Sequence, residues 1–137
     1  MKRKILSEMA DAVARHDWQA SYDLLGFVIN IEDSVAKAEI LNHLLVMPGH
    51  EHHQQVMRQI QLLRSPSSIP YIRTMLESGY EMLEYTCSEP GVITKWFSHA
   101  LADIDTPESI DLIREYSGSE DPEIAGEMAY RLMRINR

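Results

Sequence analysis

This sequence predicts an all-α fold, a short α-solenoid of about four stacked helix pairs, on two observations. One is an internal repeat: Ser65-Pro66-Ser67-Ser68-Ile69-Pro70-Tyr71-Ile72-Arg73 returns 41 residues later as Thr106-Pro107-Glu108-Ser109-Ile110-Asp111-Leu112-Ile113-Arg114. A period near 41 falls among helical-repeat units of about 40–47 residues. The other is patterning. Apolar residues recur three and four apart along the chain, and no alternating run bounded by hairpin turns appears. The 137 residues suffice for one domain spanning residues 1–137 with a real core.

Taken in order, the first helix runs from Arg3 to about Arg15, with Ile5, Leu6, Met9, Ala12 and Val13 as its stripe. Asp17 caps a second helix with Trp18, Tyr22, Leu25, Val28 and Ile29 inward. Asp33 or Ser34 opens a third, carrying Val35, Ala38, Leu41, Leu44 and Leu45, and Pro48-Gly49 stops it. The fourth extends from about Glu51 to Leu63, with Val56, Met57, Ile60 and Leu63 inward.

The fifth helix starts at Pro66, capped by Ser65, and carries Ile69, Ile72 and Leu76. Proline fits a first helical position because the N–H it lacks would have had no intrahelical partner. The sixth, from about Pro90, carries Ile93, Trp96, Phe97, Ala100, Leu101 and Ile104. The seventh starts at Pro107 behind Thr106, with Ile110 and Ile113. The eighth follows Asp121-Pro122, with Ile124, Met128, Leu132 and Ile135 at helical spacing.

An acidic residue, Pro and an aliphatic residue opening the second helix of a pair, with Ala-Leu-x-x-Ile near its end, resembles a HEAT or HEAT-like repeat. Glu89-Pro90-Gly91-Val92 with Ala100-Leu101-Ala102-Asp103-Ile104 carries the resemblance in the third unit. Asp121-Pro122-Glu123-Ile124 with Leu132-Met133-Arg134-Ile135 carries it in the fourth, where Arg131 replaces the Ala. It covers residues 65–136; over residues 1–64 only the helix pairing speaks for it. The stretch from Leu83 to Ser98 is also similar to small bacterial HEAT-repeat proteins proposed as immunity partners of secreted toxins. The family implies that second helices line a concave side. Lys95, His99 and Asp103, four apart, would share one stripe there, with Glu127 and Arg131 on the next helix.

The third unit is longer than the fourth. Pro66 to Pro90 is 24 residues against 15 from Pro107 to Pro122, so about nine are extra, roughly Gly79 to Cys87. Solenoid insertions emerge on one face, often the binding face. Tyr80, Glu81, Glu84 and Tyr85 suit an aromatic anchor in charged surroundings, or the segment packs inward through Met82, Leu83 and Tyr85. Of Trp96 and Phe97, about 100° apart on a helix, Phe97 is the core residue and Trp96 a partial interface anchor.

Charge is distributed unevenly. Residues 1–76 carry eight acidic and eight basic side chains, whereas residues 77–127 carry thirteen acidic ones against Lys95 and Arg114. Three Arg in residues 128–137 bring the net charge to −8. Such a surface repels phosphate backbones and attracts basic proteins, which excludes nucleic acid as a partner for this half. Catalytic patterns are poor. His50-Glu51-His52-His53 is not His-Glu-x-x-His, because Gln54 stands where the second His belongs. A solvated helix start or an adventitious metal contact is the expectation there. Cys87 is the only cysteine, so no internal disulfide forms; its thiolate would need a base, for which His99 is the candidate.

No apolar run reaches about 18 residues, and Glu8 and Asp11 interrupt the apolar stretch a signal peptide would need after Met1-Lys2-Arg3-Lys4. The sequence therefore reads as a cytoplasmic protein-binding module without cofactor, metal or catalytic residues. Its partner is a protein, specifically a basic toxin domain blocked by stoichiometric occlusion, with a HEAT-like adaptor as the alternative and a lyase-like HEAT enzyme as a distant one. The expected contact residues are Tyr80, Glu81, Glu84, Tyr85, Glu89, Lys95, Trp96, His99, Asp103 and Glu127.

Overall fold

The computed structural model describes residues 1–135, so the last residue of the repeat span, Asn136, and the third late arginine, Arg137, lie outside the described residues. Its helices are α1 (Lys2–Ala14), α2 (Trp18–Ile29), α3 (Ser34–Leu45), α4 (His53–Leu63), α5 (Ile69–Ser78), α6 (Pro90–Ile104), α7 (Pro107–Tyr116) and α8 (Pro122–Ile135). Two 3-10 segments, Pro66–Ser68 and Glu81–Thr86, flank α5, and no strand occurs among the described residues. None of the helices is long and apolar enough to cross a membrane.

Local chemistry sets where these helices begin. The Asp17 carboxylate accepts from the Ala20 N–H at 3.0 Å, and that of Asp33 accepts from Val35 and Ala36 at 3.0 and 3.1 Å. Asp121 does the same for Glu123 at 2.9 Å. Thr106 and Ser109 form a reciprocal capping box at the start of α7.

The two copies of the repeat motif differ at four of their nine positions, and one of these moves a helix start. Where α7 has Asp111, the earlier copy has Pro70, which has no N–H to donate to the carbonyl four residues back. Residues 66–68 tighten into a 3-10 turn instead: Ser68 donates to the Ser65 carbonyl at 3.1 Å and Ile69 to that of Pro66. Helix α5 therefore begins at Ile69, not at Pro66 as the motif alone suggests.

Helices neighbouring in sequence pack as α1 on α2, α3 on α4, α5 on α6 and α7 on α8. First members contact one another in the series α1–α3, α3–α5 and α5–α7, and α6 lies between α4 and α8. One continuous core runs from Ile5 and Met9 through Leu41, Leu44, Ile60 and Ile72 to Phe97, Leu101, Ile113 and Met128. At the turn after α3, Gly49 adopts φ +97°, and a Cβ there would stand 2.7 Å from Val13 Cγ1. Only glycine lets that backbone approach α1 so closely.

Three expected core residues face outward. Trp18 and Tyr22 are exposed because α2 packs mainly on α1 and α3, which cover a narrow stripe of Ser21, Leu25 and Val28. Val35 is 77% exposed. Its turn lies ahead of the points where neighbours meet α3, namely Lys2 at Glu39 and Ser68 at Asn42. Helix α4 begins at His53, two residues later than expected.

Leu101 is fully buried on α6, which packs against α4, α5, α7 and α8. Leu101→Ala is expected to cost about 2–5 kcal/mol of unfolding free energy by urea titration, from lost burial plus the cavity left behind. A loss below about 1 kcal/mol would mean that α6 is not the centre of the core.

Candidate functional site

The residues between α5 and α6 that the sequence set apart as an insertion are bounded by two non-glycine residues in the left-handed region, Tyr80 (φ 69°) and Cys87 (φ 54°). Such a backbone costs on the order of 1–3 kcal/mol and persists where packing over-determines it. Tyr80 supplies that packing. Its ring stacks on Phe97 at 5.6 Å, and its hydroxyl donates to Thr94 Oγ1 at 2.8 Å, since the Thr94 hydroxyl donates to the Pro90 carbonyl. Burial pushes the phenol well above its ordinary pKa. With 5% of its surface exposed, Tyr80 is a core residue and not the partner anchor the sequence suggested. Leu83 is buried beside it, whereas Glu81 and Glu84 point to solvent.

Tyr85 turns toward the start of α4, which has no side-chain cap of its own. Its hydroxyl donates to His53 Nδ1 at 2.7 Å and accepts from the His53 backbone N–H at 3.0 Å. The insertion thereby caps a helix 32 residues upstream.

Beneath it lies what the sequence presented as a solvated helix start. His50, His52 and His53 are buried, and His50 stacks on His53 with ring centroids 4.0 Å apart. A carbonyl can only accept, which fixes the proton on Nε2 of both rings. His50 donates to Leu44 at 2.6 Å and His53 to Met47 at 2.9 Å. His50 Nδ1 in turn accepts from the His52 N–H at 3.1 Å. The Ser21 hydroxyl donates to the Trp18 carbonyl, so His52 Nε2 donates to Ser21 Oγ at 2.9 Å. Every one of these nitrogens is committed to a partner in the chain, and protonating His50 or His53 would set an N–H against an N–H or displace the Tyr85 hydroxyl proton. Burial, then the neighbouring His53, lowers the His50 pKa to about 3, and burial lowers that of His53 to about 4. Among the described residues, no group of three or more His, Cys, Asp or Glu is placed to hold a metal ion.

Cys87 is exposed. The proposed base, His99, lies nine residues along α6 from Pro90, about 14 Å at 1.5 Å per residue. The pairing suggested by the sequence does not form.

Acidic side chains gather on the edge where α5 and α7 end and α6 and α8 begin. Gly91 lies 3.8 Å, measured to a notional Cβ, from the Glu123 side chain, which sets the start of α6 against that of α8. Asp121 lies close enough to Tyr80 to raise its pKa further, so the insertion belongs to the same surface. Glu81, Glu84, Glu89, Glu120 and Glu123 are exposed there, and Glu89 makes no capping bond. Arg73 offsets part of this charge, binding Glu115 at 2.9 Å and Glu77 at 3.9 Å.

Lys95, Trp96, His99, Asp103 and Glu127 lie elsewhere, on the side where α4, α6 and α8 face the same way. Lys95, Trp96 and His99 line a groove of about 350 Å³ with Gln54, Met57, Arg58 and Gln61 of α4. His99 also lines a second groove with Asp103, Asp105, Arg131 and Arg134. Asp103 accepts from Gln61 at 2.9 Å, and Arg131 donates to His99 Nε2 at 2.8 Å while lying 3.5 Å from Glu127. Burial, and then the Arg131 charge, holds His99 below its ordinary pKa. The expected contact residues therefore form two surfaces, with Tyr80 on neither. Gln54, Arg58 and Gln61 were missed, although their spacing along α4 puts them on one face. A larger apolar groove, lined by Ile5, Leu24 and Phe27, separates α1 from α2.

No protein-family model matches this chain, nor does any curated protein or solved structure. The surfaces must be read from their own chemistry.

Tyr85→Phe removes the hydroxyl from the His53 N–H and ring nitrogen together, and is expected to cost about 1–3 kcal/mol by urea titration. A cost within about 0.5 kcal/mol would place Tyr85 among ordinary surface residues. Acid titration provides a separate check. The unfolded chain binds protons on His50 and His53 below about pH 6.5, whereas the folded chain binds them only near pH 3 and 4. The unfolded state thus holds more protons across that window, and stability falls as pH falls through it. The urea midpoint is expected to drop already between pH 6.5 and 5, before carboxylates protonate; a flat midpoint there would contradict the buried neutral rings.

Proposed function

We propose that this chain is a non-catalytic protein-binding module, built as a short α-solenoid of four HEAT-like pairs, that recruits a basic partner through its acidic edge. The contact series α1–α3–α5–α7 beside α4–α6–α8 supports the solenoid reading, since stacked repeats meet their neighbours in that order. The observation that carries the function is the gathering of Glu81, Glu84, Glu89, Glu120 and Glu123 on one edge with little neutralising charge. Like charges held close destabilise a fold through self-repulsion, and a complementary partner relieves that while gaining electrostatic steering.

In its particular form the module is an immunity protein that blocks a basic toxin by occluding its active surface. Charge steers the encounter, and apolar contacts must supply the slow dissociation that complete blockade needs. Tyr85 at the rim of the insertion is the aromatic side chain best placed for that role, being 38% exposed beside Glu84.

The test is a tagged pull-down from native lysate at low and high salt, followed by kinetics with the partner recovered. A stoichiometric basic protein that survives high salt is expected. The triple variant Glu81→Lys, Glu84→Lys, Glu89→Lys should slow association about tenfold or more at low salt and change dissociation little. Unchanged association kinetics would remove the acidic edge from the interface. A set of neutral or acidic proteins lost at modest salt would favour an adaptor.

A further inference from the structure

The inner face of α4, α6 and α8 has the opposite character to the acidic edge. In a chain of net charge −8, no carboxylate lines the groove between α4 and α6. Arg58 and Lys95 both line it, are exposed, and make no ion pair among the described residues. Gln54 and Gln61 add amide groups, and Met57 and Trp96 form an apolar wall. His99 accepts from Arg131 through Nε2, which leaves its proton on Nδ1 as a further donor on the stripe. His99 also lines the groove between α6 and α8, so the two grooves adjoin at this side chain and together make a trough across α4, α6 and α8.

We propose that this trough receives an extended acidic peptide segment, with carboxylates at Arg58 and Lys95 and an apolar side chain against Met57 and Trp96. Three helices spaced about 8–10 Å apart make a trough of about 16–20 Å. At about 3.3 Å per residue, that holds roughly five or six extended residues. Arg58 and Lys95 lie at one end of it, in the groove that no carboxylate lines. At the other, Asp103 and Asp105 stand with Arg131 and Arg134, so the trough is polarised and favours one orientation of the segment. A nucleic acid fits less well, because its affinity rests on many Lys and Arg contacts to phosphates, and the carboxylates nearby repel a phosphate backbone. A single small anion would leave the apolar wall and the second groove uncovered. This site does not depend on the basic-partner reading and lies on a different face from the acidic edge.

An array of octapeptides permuting Asp, Lys, Leu and Ala, probed with the labelled full chain at low salt, tests the proposal. Enrichment of peptides with clustered Asp beside Leu is expected. Anisotropy with the best peptide should show about tenfold or greater weakening in Arg58→Glu/Lys95→Glu. The milder Arg58→Gln/Lys95→Gln pair guards against misfolding and should weaken binding in the same direction, while Glu81→Lys/Glu84→Lys should not weaken it. In a Trp18→Phe background the remaining indole, Trp96, should change emission on binding. Absence of acidic enrichment, full binding by both cation variants, or stronger binding of a single-stranded oligonucleotide would overturn the proposal.

Discussion

Burial of α6 on several sides is the constraint on which the rest depends. Helices α4, α5, α7 and α8 all contact it, and Phe97, Ala100 and Leu101 have no exposed surface. A helix enclosed in this way cannot rotate without exposing a large apolar side chain, worth roughly 1.5–3 kcal/mol each. Its remaining stripe is therefore fixed in direction. Lys95 and His99 face the trough because Phe97 and Leu101 face the core, and Tyr80 is drawn inward because Phe97 offers its ring a stacking partner.

The histidine cluster shows how an unfavourable sequence is accommodated. Three imidazoles in four residues would repel one another if charged, so burial is tolerable only in the neutral form with the buried nitrogens paired. Backbone carbonyls at the end of α3 and in the following turn provide acceptors, and Ser21 and Tyr85 complete the set. The strained insertion between Tyr80 and Cys87 delivers Tyr85 to that place. Its extra length thus has a structural purpose at its inner side and leaves Glu81 and Glu84 outward at its rim.

Electrostatically, the molecule separates two roles that the sequence mixed. Carboxylates collect at the edge where helix N-termini of α6 and α8 meet, and those termini carry partial positive charge that stabilises them. Arg58 and Lys95, which make no ion pair among the described residues, line the groove on the inner face, where no carboxylate stands. A partner with both a basic surface and an acidic segment would be oriented by the two together.

Much of this was legible from the residues. Side-chain caps at Asp17, Asp33, Thr106 and Asp121, prolines at helix starts and apolar spacing are local signals, acting within a turn or two, so helix number, order and most boundaries followed from the sequence. The charge imbalance and the Lys95–His99–Asp103 stripe were equally plain. Tertiary structure decided the rest. Periodicity defines a face but not what covers it, which is why Trp18, Tyr22 and Val35 lie outside and Tyr80 inside. His53 is capped by Tyr85, 32 residues away, and Lys95 shares a groove with Arg58 only because α4 packs on α6. Pairings between distant residues form through packing, and no local pattern records them.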